Sequence, residues 1–172
     1  LLYNKHKGEN IMSAASNYLE LEILDHILRY GNGSLSAGTG AGYQPPATVY
    51  VALFSNSGGG AATALESGTN STSGTGNWGY YEINNGSYAR QSVTFAAASS
   101  GSCASNATVT FPVATANYNT AGSQGATVTH LAIMDASTSG NLLFYGALTT
   151  SKTVSSGDQF TISSGNLTVS LA

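Results

Sequence analysis

The stretch Thr48-Val49-Tyr50-Val51-Ala52-Leu53-Phe54 decides the fold. β-Branched and aromatic residues fill it, Pro46 stands before it, and serines and glycines follow, which predicts a strand with defined ends. Working outward, strand patterns recur at residues 88–95, 107–113, 126–134, 141–149, 159–163 and 167–171. Turn signals separate them at Asn85-Gly86, Ser139-Gly140-Asn141, Ser156-Gly157-Asp158 and Ser164-Gly165-Asn166. About seven or eight short strands at this spacing predict an all-β protein, an antiparallel β-sandwich or barrel, over residues 43–172. No repeat of fixed period is present, which excludes a solenoid. Residues 55–79 are glycine-rich and of low complexity, and they read as a long loop, either a mobile tip or a contact arm.

Upstream, residues 12–42 read as one N-terminal α-helix and a linker. Asn17 and Glu20 have the spacing of a capping pair, and Leu21, Leu24, Ile27 and Leu28 recur at helical spacing on one apolar face. Glu20 and Glu22 near its start and Arg29 near its end suit the helix dipole, and Gly31 closes it. That face is the candidate docking helix. Residues 31–42 are rich in Gly, Ser and Thr and read as a connector. Residues 1–11 read as an untranslated leader or a disordered arm, because Lys7-Gly8-Glu9 can be encoded by a purine run resembling a ribosome-binding site just before Met12.

Composition narrows the function. The chain has 172 residues, enough to bury a core without disulfides or metal. Charged residues make up only 8%, against the usual quarter, so Ser, Thr, Asn and Gly carry the surface polarity. Hydroxyls and amides repel nothing, and such an exterior suits packing against copies of itself or a larger shell. Net charge is −3 and no basic stripe exists to neutralise phosphates, which argues against nucleic acid as a partner. No run of about 18 apolar residues predicts a membrane span, and no signal-peptide pattern is seen. Cys103 is the sole cysteine, reads as a spectator thiol, and fits folding in a bacterial cytoplasm.

The chemical constellations are sparse. His6, His26 and His130 are the histidines; His130 alternates onto the face opposite Leu131 and reads as a sheet-surface or contact residue. Glu66, Glu82, Asp135 and Asp158 lie in or beside predicted loops, as solvated acids do. No metal-ligand spacing, Walker loop or dinucleotide fingerprint appears. The expectation is no catalytic residues, no cofactor and no metal: a protein that is not an enzyme.

Two features suggest contact with a partner. Trp78, Tyr80 and Tyr81 cluster at the end of the long loop, where they either cover the end of the sandwich or stack on a glycan. Arg90 offers five donors to an acidic partner or to an internal carboxylate such as Glu82, which would pin the loop to the sheet.

Several of these segments, taken in order, resemble a family of small tailed-bacteriophage virion proteins. They include Asn17-Tyr18-Leu19-Glu20, the Pro46-to-Phe54 strand, Gly86-Ser87-Tyr88-Ala89-Arg90-Gln91, Thr110-Phe111-Pro112, Val128-Thr129-His130 and Gly140-Asn141-Leu142-Leu143-Phe144-Tyr145-Gly146. The resemblance departs at residues 55–78, where the family pattern has a shorter, more acidic segment. Members are often labelled tail-fibre proteins and also resemble capsid decoration or cement proteins. The resemblance implies a structural protein on the outer surface of the virion, made in the host bacterial cytoplasm. The leading expectation is a capsid decoration protein that stabilises the head by contacts to the major capsid protein or other virion proteins. A homotrimer is the favoured oligomer. The alternative is a tail-fibre or receptor-binding module recognising host surface glycan through the Trp78 loop.

Overall fold

A computed structural model describes residues 10–12, 14–16, 18–19, 46–56, 60–67, 78–120 and 125–170. The fold is all-β, with ten strands among the described residues: β1 (Asn10–Met12), β2 (Ala14–Ala15), β3 (Val49–Phe54), β4 (Gln91–Val93), β5 (Ser102–Ala104), β6 (Val109–Thr110), β7 (Thr127–Met134), β8 (Leu142–Thr153), β9 (Thr161–Ile162) and β10 (Leu167–Ser170). Two short helices join them, α1 (Ala61–Ser67) and α2 (Trp78–Tyr81).

The strand that decides the fold lies inside the largest sheet, whose order is β2-β8-β7-β3-β4 with antiparallel neighbours throughout. Val51 pairs with Ile133 and Phe54 with His130, while Val49 pairs with Val93 on the other side. A second sheet, β1-β10-β5, has β1 parallel to β10 and β5 antiparallel to it, and β6-β9 form a ribbon.

Strand alternation sends the side chains of β3 to two different cores. Val51 and Leu53 join Leu131, Ile133, Leu143, Phe111, Tyr118, Leu167 and Val169 between the sheets. Ala52 and Phe54 join Ala132, Met134 and Leu142 on the opposite face, beneath Ala61, Ala64 and Leu65 of α1. The large sheet is thus covered on both faces, by strands and loops on one and by a helix on the other.

That helix corrects the sequence reading of residues 55–79 as a loop throughout. Glycine and serine on both sides hide a short segment, Ala61-Ala62-Thr63-Ala64-Leu65-Glu66-Ser67, whose Ala61, Ala64 and Leu65 fall at helical spacing and are buried. The Asn56 side-chain oxygen accepts the Ala61 N–H at 2.9 Å and supplies its start. Other elements are shorter than the patterns suggested. The 88–95 strand contracts to β4, 107–113 to β6 and 159–163 to β9, because their ends bond to loops instead of to a sheet: Phe111 N–H to Phe160 O at 3.0 Å, Ala114 N–H to Asp158 O at 2.8 Å. β5, among Gly, Ser and Cys, carries no strand signal of its own. All four turn signals fall at observed turns.

The expected helix over residues 17–30, with Leu21, Leu24, Ile27 and Leu28, lies outside the described residues except for Tyr18 and Leu19. Leu19 is buried in the inter-sheet core. Its N–H donates to Ser16 Oγ at 3.3 Å, the bond a helix N-cap makes, and Ser16 also donates that hydroxyl to Leu142 O.

Candidate functional site

Chemistry concentrates first around Glu82, just after α2. Its carboxylate accepts Arg90 Nε at 2.7 Å on one oxygen and Arg90 Nη2 at 2.8 Å on the other, a bidentate fork. The remaining guanidinium nitrogen, Nη1, donates to the carbonyls of Ala136 at 2.9 Å and Ser139 at 2.7 Å, inside the turn between β7 and β8. Tyr88 completes the group: its hydroxyl donates to Glu82 at 3.0 Å and accepts the Leu53 N–H at 3.1 Å. Two segments distant in sequence, residues 82–90 and 136–139, are therefore tied to the central strand.

The electrostatics follow from burial. The side chains of Arg90 and Glu82 are 5% and 13% exposed, so the pair is screened little by solvent. Burial by itself would lower the Arg90 pKa; the hydrogen bonds and charge of Glu82 outweigh it and hold the guanidinium above its ordinary value. Burial, then the neighbouring Glu82 charge, pushes the Tyr88 phenol well above its ordinary value. The Tyr88 ring stacks on Phe111 at 6.0 Å and meets Tyr118 edge-on at 5.9 Å, and Phe111 meets Phe160 edge-on at 5.7 Å. This is an immobilised network with closed partners, suited to holding loops in place.

The acids Asp135, Asp158 and Glu66 are also engaged by the fold. Asp135 accepts the Asn141 backbone N–H at 2.6 Å and its side-chain amide at 2.8 Å, closing the β7–β8 turn. Asp158 accepts Ser155 N–H at 2.9 Å, and Glu66 accepts the Tyr145 hydroxyl. The reading of these acids as solvated loop residues is thus corrected for Glu82, which lies in a protein-lined niche. His130 shares the helix-covered face of the sheet, opposite Leu131, with Nδ1 2.9 Å from Thr129 Oγ1. Burial lowers its pKa. Cys103 is half-buried, and among the described residues no three His, Cys, Asp or Glu side chains converge as a metal site.

The residues expected to meet a partner take different places. Arg90 is turned inward onto Glu82, the internal one of its two expected uses. Tyr81 is 5% exposed and belongs to the core beside Phe54 and α1. Its neighbour Tyr80 is half-buried and packs edge-on against it at 5.1 Å. Both side chains cover the helix-bearing face of the large sheet, because Phe54 and Ala64 leave an apolar surface there to be filled. Trp78 opens α2. Tyr88 was missed as a central residue; the Tyr88-Ala89-Arg90 spacing, which sets both polar tips toward Glu82, was its signal.

Two concavities stand out among the described residues. One, of about 350 Å³, is apolar and opens between the sheets beside Val49, Phe95, Cys103, Ile133 and Val169. The other, of about 500 Å³, runs between the outer half of β8 and β9, and its rim carries Thr150, Lys152, Asp158, Thr161 and Ser163.

The comparison with known families is made against this background. The model of one family, described as Podophage GP4 fiber I protein gp80, matches residues 14–170. The chain belongs to this family. Among curated proteins, none matches it. Membership of a podophage fibre family makes the chain a phage structural protein, and the resemblance to tailed-phage virion proteins holds at that level. The fibre description does not point to capsid decoration, the leading expectation from sequence, and it favours the fibre alternative.

Proposed function

We propose that this chain is a structural subunit of a podophage tail fibre, acting by noncovalent contact and not by catalysis. The observation that carries this reading is the fibre-family match across residues 14–170. The geometry is consistent with it: the buried ionisable groups, Glu82 and Arg90, serve as a clamp, and the polar exterior is built of hydroxyls and amides that let copies approach without repulsion. In this reading the partners are other virion proteins and copies of the same chain, with a trimer favoured by closed cyclic symmetry. The segment carrying Leu21, Leu24, Ile27 and Leu28 serves as the docking element, and a surface elsewhere on the domain meets the host glycan. The position is the outside of the virion.

Gold-labelled antibody on purified particles, with quantitative gels for copy number, tests the proposal. A fibre subunit labels the tail and is present in tens of copies. Label over the head with hundreds of copies would establish decoration and overturn the fibre reading.

A further inference from the structure

We propose that the groove between the outer half of β8 and β9 binds a neutral oligosaccharide. This deepens the fibre reading and rests on it for the source of the sugar. The groove's volume, about 500 Å³, falls within the range of small-ligand sites. Leu148, Phe160 and Ile162 form its floor. Phe160 and Ile162 are core residues at 8% and 3% exposure, so the floor cannot swing away. The walls are fixed as well: Phe111 N–H bonds to Phe160 O at 3.0 Å and Tyr118 N–H to Val154 O at 3.0 Å.

The rim has the opposite character. Thr150, Lys152, Thr161 and Ser163 are exposed and make no side-chain hydrogen bond or ion pair among the described residues. Asp158 and Gln159 are held in place from behind, by Ser155 N–H at 2.9 Å and Phe111 O at 3.1 Å. An apolar floor under a rim of hydroxyls and amides matches a pyranose, which has a C–H face and an edge of hydroxyls that both donate and accept. One cation, Lys152, and one anion, Asp158, leave the groove without net charge, so a polyanion has nothing to neutralise its phosphates or sulfates. A purely apolar ligand would strip water from the rim with no return. Because floor and walls are already ordered, binding carries little cost of reorganisation.

Saturation-transfer NMR on the full chain, with maltohexaose, cellohexaose and chitohexaose as probes, decides the matter. Transfer to ring protons of at least one hexasaccharide is expected. Thr161→Arg and, separately, Thr150→Arg block the groove at exposed positions and cut the transfer by about tenfold or more. Ala62→Arg, exposed on α1 across the large sheet, leaves it unchanged. Transfer that is absent for all three sugars, survives both blocking variants, or occurs only with a sulfated hexasaccharide overturns the proposal. Lipid-free polysaccharide released from bacterial lipopolysaccharide, run beside the hexasaccharides, separates the two sources: stronger transfer to it supports a cell-surface glycan, weaker transfer a soluble sugar. Failure here with gold label on the tail removes the groove alone; label on the head removes the fibre reading whatever the sugars do.

Discussion

Arg90 grips Glu82 through two parallel hydrogen bonds, at 2.7 and 2.8 Å, while its third nitrogen closes on the β7–β8 turn. Lysine has one point charge and cannot reproduce that fork. Arg90→Lys should lower stability, and Arg90→Ala should lower it further, by about 3–5 kcal/mol, because Glu82 is left buried and unpaired. Urea unfolding followed by tyrosine fluorescence measures both. A double variant with Glu82→Gln should recover part of the loss, since no charge then lies stranded.

Tyr88→Phe keeps the ring stacked on Phe111 and removes only the hydroxyl. The Leu53 N–H then loses its acceptor in the core, and about 1–3 kcal/mol should be lost by the same assay. Alkaline pH offers an independent check. The Tyr88 phenol is raised in the folded state, so the fold holds its proton where the unfolded chain has released it. Stability is therefore intact below about pH 10 and falls above it, and Tyr88→Phe should flatten that fall.

His130 gives the converse on the acid side. Burial depresses its pKa, so below about pH 6.5 the unfolded chain takes up a proton that the folded chain refuses. Stability should decline as pH drops from 7 to 5, less steeply in His130→Gln. Unfolding midpoints at the two pH values, with an NMR titration of the imidazole, measure the effect.

Gly140 and Gly157 both have positive φ, +72° and +91°, yet only one is crowded. A β-carbon on Gly140 would lie 2.3 Å from Asp135 Oδ1 and 2.7 Å from the Ala136 β-carbon, whereas Gly157 has open space. Gly157→Ala should cost about 1 kcal/mol, the left-handed backbone penalty alone. Gly140→Ala should cost clearly more, since it also disturbs the acceptor of Asn141 and the turn that Arg90 holds. Thermal unfolding of the two variants compares them directly.

The sequence made the central strands legible because their signal is local: Thr48 to Phe54 and Ala126 to Met134 are β-branched or apolar over one continuous run. The turns were legible because glycine marks backbone geometry few other residues adopt. What escaped was fixed by distant contact. The helix at Ala61–Ser67 exists because Phe54, Met134 and Leu142 offer it an apolar bed, and no window of local sequence contains them. β5 exists because β10 pairs with Cys103 from the far end of the chain. The Arg90–Glu82 pair could be named from the scarcity of charge, whereas Tyr80 and Tyr81 looked like loop aromatics for want of the helix they pack beside. The rim of the β8–β9 groove is threonine and serine in a chain full of both, so composition hid it.

Val51 meets Ile133, and β3 has no earlier partner for that edge. A ribosome adding about 5–20 residues each second leaves Val49–Phe54 waiting roughly 4–16 s for β7 to emerge. During that interval a bare, β-prone hexamer is open to its copies on neighbouring polysomes. Translation speed and chaperone supply should therefore bear on yield during heavy expression.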